Sequence, residues 1–307
     1  THEASKFGRR FRLPFPFYKN LVEECKRERW HGRFDSGDAV SLDSIPAEVS
    51  HVAVLQILGR GTDSTTQSWS LVYTRARFRL AFTRSARIFA KGVYKTWISA
   101  PEREDLKEFT ATYARLGFQG AVGSCDVTHV RWDKAPAIRT VYYTGNEGFP
   151  SIAYQVTVDH TGRALAVTAG FVGANNDRTI RNDPSVDRGK THEAHTQMEY
   201  TLVDLEGREF TEKRAYLIVD GGYHQKCPCS LRPSSVAISR TCLKWSKRLE
   251  SVRKDVECFF GSLNGRFRIL KMPLMFWASN ANLREKSDNI FFVCCTLQSM
   301  LLAYGGL

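Results

Sequence analysis

The chain has 307 residues, 42% of them hydrophobic, with 44 Lys+Arg against 32 Asp+Glu and a formal charge of +12. That length is enough for a sizeable core in one large or two smaller domains, and no apolar run reaches the length of a membrane span. The positive balance favours a polyanionic partner, although an ordinary basic soluble enzyme would carry it too.

Residues 1–50 are mixed. "FRLPFPFYKN" is broken by prolines and "HGRFDSGDAVSLDS" reads as loop, so poor order or a lid-like wrap is expected there. From His51 to about residue 118 the pattern is helical. "HVAVLQILGRG" reads as a helix ended by glycine, and Asp63, Ser64, Thr65 and Thr66 offer N-caps for a second. Leu71 to Trp97 reads as a longer helical stretch carrying Arg75, Arg77, Arg79, Arg84, Arg87, Lys91 and Lys95, with no acid. It is either the recognition helix of a helix-turn-helix-like region or a basic amphipathic helix packed on the core.

A mixed α/β domain is expected over residues 119–307. Ala121–Cys125 is a small, apolar strand. Ser151–Phe171 reads as two alternating strands around a turn at Asp159–Gly162. "NDRTIRNDPS" follows as short helix or loop. His195–Arg214 is polar and reads as mostly loop and surface. Tyr216–Val219 is a short apolar strand stopped by Gly221 and Gly222, followed by a Cys/Pro/Ser-rich connection. "KRLESVRKDVECFFGSLNGRFRIL" reads as an amphipathic helix whose apolar stripe is Val252, Val256, Phe259, Phe260 and Leu263. Ile290–Tyr304 reads as a buried C-terminal helix. Trp132, Trp245 and Trp277 read as core or edge aromatics rather than base-stacking platforms.

Three acids stand out. Asp126 and Asp220 each end a strand, where a side chain points into a crevice at the sheet edge. Glu257 lies off the centre of the helical stripe, with Arg253 and Lys254 four and three residues before it on the same face. Such a pattern is either a surface ion pair or one member of a three-carboxylate set for hard cations such as Mg²⁺. Two metals held by such a set clamp the attacking and leaving oxygens of phosphoryl transfer. Glu250, seven residues before Glu257, is the rival third acid, whereas Asp255 falls on another face. The eight cysteines show no framework spacing, so reduced thiols are expected. His224, Cys227, Cys229 and Cys242 could be drawn as a zinc set, but the Cys-Pro-Cys spacing is unusual for one, and structural zinc is not expected.

On these residues the chain resembles the transposase, or nuclease, component of PIF/Harbinger DNA transposons and their plant-transposon-type relatives. "GSCDVTHV" (Gly123–Val130), "VDGGYH" (Val219–His224) and "VECFFGSLNGRFRIL" (Val256–Leu270) are similar to the three acid-bearing motifs of that family. "GFVGANNDRTI" and "SDNIFFVCCTLQSMLL" are weaker matches. Two positions depart from the pattern: Asn264 replaces a lysine and His224 a proline.

The resemblance implies an RNase H-like mixed sheet flanked by helices, preceded by the helical region. It implies DDE chemistry at Asp126, Asp220 and Glu257 with two Mg²⁺ or Mn²⁺ ions, cutting and joining DNA strands at transposon ends. Asp177 matches an auxiliary aspartate, which braces the site or caps a helix, and His129 either orients water or a phosphate or is structural. Arg253, Lys254, Arg266, Arg268 and the basic helix become candidates for binding double-stranded DNA, with Arg266 and Arg268 alternatively packing on the sheet. A Myb-like DNA-binding partner, a homo-oligomer, no membrane contact and a nuclear location complete the expectation. The alternative is a decayed or host-recruited copy that binds DNA or protein without cutting.

Overall fold

The computed structural model describes residues 2–27, 47–61, 75–101, 103–175, 179–180, 193–204, 206–223, 229–234, 239–272 and 283–305. In chain order the helices before the sheet are α1 (His2–Phe11), α2 (Phe15–Arg27), α3 (Ala47–Arg60), α4 (Arg75–Gly92), α5 (Tyr94–Trp97) and α6 (Arg103–Arg115). There follow β1 (Ala121–Arg131), α7 (Thr140–Tyr143), β2 (Ser151–Val158), β3 (Ala164–Val167) and β4 (Phe171–Val172). Then come α8 (Glu193–Thr196), β5 (Glu199–Val203), β6 (Glu209–Lys213), β7 (Tyr216–Ile218) and β8 (Ser230–Leu231). The chain closes with α9 (Arg240–Arg266), a 3₁₀ turn (Arg268–Leu270) and α10 (Leu283–Tyr304).

The described chain forms two compact units. One comprises Thr1–Trp97, Val130–Pro136 and Ser262–Leu307; the other comprises Ile98–His129 and Ala137–Gly261. The first is helical. Its N-terminal residues were expected to be poorly ordered or to wrap, but residues 2–27 form two helices. The Pro14 carbonyl accepts the Tyr18 N–H (3.0 Å) and Pro16 sits in the first turn of α2, where a missing N–H costs nothing. The prolines therefore start a helix here rather than break one, and α2 buries Phe17, Tyr18, Leu21, Val22 and Cys25. Helix α3 ends as expected at a glycine: Gly61 has φ +70 and returns its N–H to Ile57 O, a left-handed C-cap.

Helix α4 packs against α3 and α10, and Arg87 and Lys91 pair with Glu285 of α10 at 3.3 and 3.7 Å. Helix α10 is the expected buried helix, with Ile290, Phe291, Val293, Cys294, Cys295 and Leu297 all nearly inaccessible. The N-cap candidates at Asp63–Thr66 and the opening of the basic stretch, residues 71–74, lie outside the described residues, as does Trp277. Among the described residues no helix is long and apolar enough to cross a membrane.

The second unit is built on a mixed sheet in the order β3-β2-β1-β7-β8, with β4 added to β2. β2 pairs antiparallel with β3 and β4, and β7 lies parallel to both β1 and β8. β2 is buried along its whole length, consistent with helices flanking the sheet. Tyr113 of α6, Phe118 just after it, Ala121 of β1, Ile218 of β7 and Leu249 of α9 form one cluster, with Trp245 packed on it. The unit is thus mixed α/β, as expected, and the hairpin turn falls at Asp159–Gly162, where Asp159 Oδ1 accepts from Thr161 N (2.8 Å) and Arg163 N (2.9 Å). Residues 195–214 correct the loop expectation. β5 and β6 form a two-stranded hairpin closed by Asp204, whose carboxylate accepts from Glu206 N (3.0 Å) and Arg208 N (2.8 Å). Its strands are exposed, so it carries little of the buried alternation by which strands are read from sequence.

Candidate active site

The register of β1 against β7 places the first two acids. Ser124 pairs with Ile218 in parallel, and Asp126 and Asp220 each lie two residues beyond that pair. Side chains two apart on a strand share a face, so the two carboxylates emerge at one level on neighbouring strands. The small residues of "GSC" make this approach possible. A Cβ on Gly123 would stand 2.6 Å from the carbonyl oxygen of Val158, so only glycine lets β1 lie this close to β2. After β7 the chain turns at once: Asp220 Oδ1 accepts Gly222 N–H at 2.9 Å. Tyr223 then drops into a core pocket with Cys125 and Val219, its hydroxyl 3.9 Å from Cys125 Sγ.

Glu257 comes from α9. Leu249, Val256, Phe259 and Leu263 are buried on that helix, which leaves Glu257 on the solvent side with its side chain 48% exposed. Arg253, one turn earlier, closes the set. Its Nη1 donates to Asp126 Oδ2 at 2.8 Å and its Nη2 to Glu257 Oε1 at 2.5 Å. The guanidinium fork is therefore shared between two carboxylates whose residues lie on different elements. Lys254, a candidate phosphate contact like Arg253, is exposed on α9. The signal for Arg253 was present as its four-residue spacing from Glu257, but nothing local pointed to Asp126, 127 residues away. The rival acid Glu250 is exposed, and the fork does not reach it.

Burial pushes the Asp126 carboxyl above the usual aspartate range. The Val127 N–H (2.8 Å to Oδ1) and Arg253 pull it back down, and the charge of Asp220 pushes it up again. All three acids offer hard oxygen donors, suited to Mg²⁺ or Mn²⁺ rather than to soft metals. A cation, the Arg253 guanidinium, already stands between two of them. The donor chemistry therefore fits a divalent ion. The present spacing is that of a site closed on arginine: among the described residues no three His, Cys, Asp or Glu side chains form a metal-holding group.

The remaining candidates fall into distinct places. His129 lies an odd number of residues from Asp126 and so faces the other side of β1. Its Nδ1 is 2.9 Å from Ser151 Oγ, and burial pulls its pKa down, which favours neutral imidazole. Asp177 lies outside the described residues. Arg266 is tied up inside the helical unit, donating from Nε to Gln298 Oε1 and from Nη1 to the Arg12 carbonyl, both at 3.0 Å. Arg268 is exposed at the 3₁₀ turn, and Arg84 and Arg87 are exposed on α4. Arg75, Arg77 and Arg79 occupy the first turns of α4, and their side chains lie outside the described residues. His224 and Cys227 of the drawn zinc set also lie outside, while Cys229 and Cys242 are not disulfide-bonded.

Asp255 supplies a pH prediction. It is half-buried on another face of α9, and burial first, then the charge of Asp159, pushes its pKa up to about 6. Between the ordinary aspartate value and 6 the folded state binds more protons than the unfolded one, so this group's contribution to stability falls as pH rises through that window. Asp255→Asn is expected to raise stability at pH 7.5 by about 1–2 kcal/mol, a figure discounted for partial exposure. The gain should vanish at pH 4. Urea midpoints of both proteins at the two pH values check this, and equal gains at both would refute it.

No curated protein and no solved structure matches the chain. The family model described as plant transposon protein matches residues 95–304, well over half of the chain and all three acids, and the chain therefore belongs to the plant transposon protein family.

Proposed function

We propose that the chain is a metal-dependent DNA endonuclease or transposase of the DDE type, of the PIF/Harbinger kind, with an RNase H-like catalytic fold. The observation that carries this reading is the approach of three acids distant in sequence. Asp126 and Asp220 share one level of two parallel strands, and Arg253 links Asp126 to Glu257. The sheet order, with a hairpin on one side of β1 and parallel strands on the other, supports the RNase H-like assignment.

Asp126, Asp220 and Glu257 would hold two Mg²⁺ or Mn²⁺ ions, which supply Lewis acidity at the attacking and leaving oxygens of a phosphodiester. Asp126 and Asp220, fixed by the sheet and by their backbone hydrogen bonds, set the position of the scissile phosphate. Glu257, on an exposed helical face, completes the set from the solvent side. Lys254, exposed on α9 three residues before Glu257, neutralises DNA phosphate beside the acids, and Arg268 and the arginines of α4 are further candidates for contacts to the DNA backbone. The substrates are transposon ends and target DNA, reached in the nucleus as a homo-oligomer with a Myb-like partner.

The test is nicking of supercoiled plasmid in Mg²⁺ or Mn²⁺. The wild type is expected to convert it to open circles, and Asp126→Ala to leave it closed. A wild type that binds DNA but never nicks with either ion would instead indicate a decayed or host-recruited copy acting as a binding module.

A further inference from the structure

We propose that Arg253 is the resident cation of the acid site and its gate: the guanidinium holds Asp126 and Glu257 until a divalent ion displaces it. This inference rests on the reading of Asp126, Asp220 and Glu257 as metal ligands and concerns how that site is controlled.

Three features of the arrangement point to it. First, the fork does not chelate one carboxylate. One terminal nitrogen goes to Asp126 and the other to Glu257, so the width of the guanidinium keeps the two acids apart. A metal ion bound by both needs them closer, in the space that the guanidinium fills. Second, the two acids differ in freedom. Asp126 is 20% exposed and anchored by the Val127 N–H, whereas Glu257 is 48% exposed. Closure on an ion is therefore a movement of Glu257 towards the sheet. Third, Arg253 is held by little else. Its side chain is 15% exposed, and its Nε is buried without a hydrogen-bond partner among the described residues. Once a divalent ion takes over the two carboxylates, no other acceptor shown here retains the guanidinium. It is then released beside the bound ions, where a phosphodiester carries the charge it seeks.

The exchange is favourable in sign. Two carboxylates share one guanidinium, and the charge of Asp220 acts on Asp126 as well, so replacing a single charge by a doubly charged ion reduces the net repulsion among the acids. A purely structural clamp would behave differently, because removing it would loosen the site and weaken metal binding.

Mn²⁺ binding to the whole chain, followed by isothermal titration and by the loss of free-ion paramagnetic signal, separates the two without any assay of cleavage. Arg253→Gln is expected to bind Mn²⁺ about tenfold more tightly than the wild type, because a competing charge within contact distance has been removed. Lys254→Gln, which removes the same charge from an exposed neighbouring position, should change affinity less than about threefold. Arg253→Lys, which keeps the charge but cannot fork between two acids, should fall between wild type and Arg253→Gln, and it serves if the glutamine variant does not fold. An affinity for Arg253→Gln equal to or weaker than wild type overturns the gate, as do equal gains in Arg253→Gln and Lys254→Gln. The Asp126→Asn/Asp220→Asn double variant reports on the underlying reading. If it binds Mn²⁺ as well as the wild type does, or if no variant binds at all, the acids are not the ligands.

Discussion

Asp220→Asn is expected to bind DNA within about twofold of the wild type and to lose strand cleavage by about three orders of magnitude or more, equivalent to about 4 kcal/mol in the barrier. The fold should survive this change. Asparagine keeps the side-chain oxygen that accepts the Gly222 N–H, so the turn after β7 is retained. What is lost is a negative charge at the level of Asp126 and, on the proposed reading, a ligand for the divalent ions. A carboxylate repels phosphate until metal arrives, so its removal costs chemistry and not grip. Single-turnover cleavage of a labelled duplex and fluorescence anisotropy of the same duplex give the two numbers. Cleavage within tenfold of the wild type would exclude Asp220 from the reaction.

The second large effect is on stability. Gly123→Ala is expected to cost about 2–3 kcal/mol, because the new methyl group has no space. It would lie 2.6 Å from the Val158 carbonyl oxygen and 3.4 Å from side-chain carbons of Leu165 and Thr157. β1 and β2 are both buried, so the strands must part to admit it, and Asp126 would move with β1. A Cβ on Gly261, by contrast, meets nothing within 4 Å and lies inside helix α9. Gly261→Ala should therefore stabilise the protein by about 0.5–1 kcal/mol through backbone entropy alone. Guanidinium denaturation of the two alanine variants should give midpoints shifted in opposite directions. A neutral Gly123→Ala would mean that β1 and β2 are further apart than described.

Much of the architecture was legible in local patterns. The end of β7 before Asp220, the turn at Asp159–Gly162, the stripe of α9 and the apolar run of α10 all announce themselves within a window of about a dozen residues, where side-chain period and turn chemistry dominate. The strand of Asp126 was expected to end at that acid; β1 instead continues to Arg131, with Asp126–His129 only partly buried, so only its buried first half was visible as an apolar run. The β5–β6 hairpin did not, because β6 is exposed along its length and β5 only half-buries Tyr200 and Leu202, which leaves little hydrophobic alternation. The helices of residues 2–27 were obscured for a different reason: Pro14 and Pro16 look like breakers until their position at the first turn of α2 is known. Arg253 is the sharpest case. Its helical spacing from Glu257 was visible, and it suggested a phosphate contact like that of Lys254.

The amino-acid sequence alone determined where the apolar strands bearing Asp126 and preceding Asp220 lie, which face of α9 is apolar, and the family to which those motifs point, since each depends on residues close along the chain. Only the tertiary structure decided that the β1–β7 register levels Asp126 with Asp220, and that Arg253 turns inward to bridge Asp126 and Glu257. It also decided that α10 packs with α4. Those outcomes rest on strand register, close backbone approach and a charge pair spanning 127 residues of sequence. Such long-range terms are set by how the elements pack and leave no periodic trace in the chain.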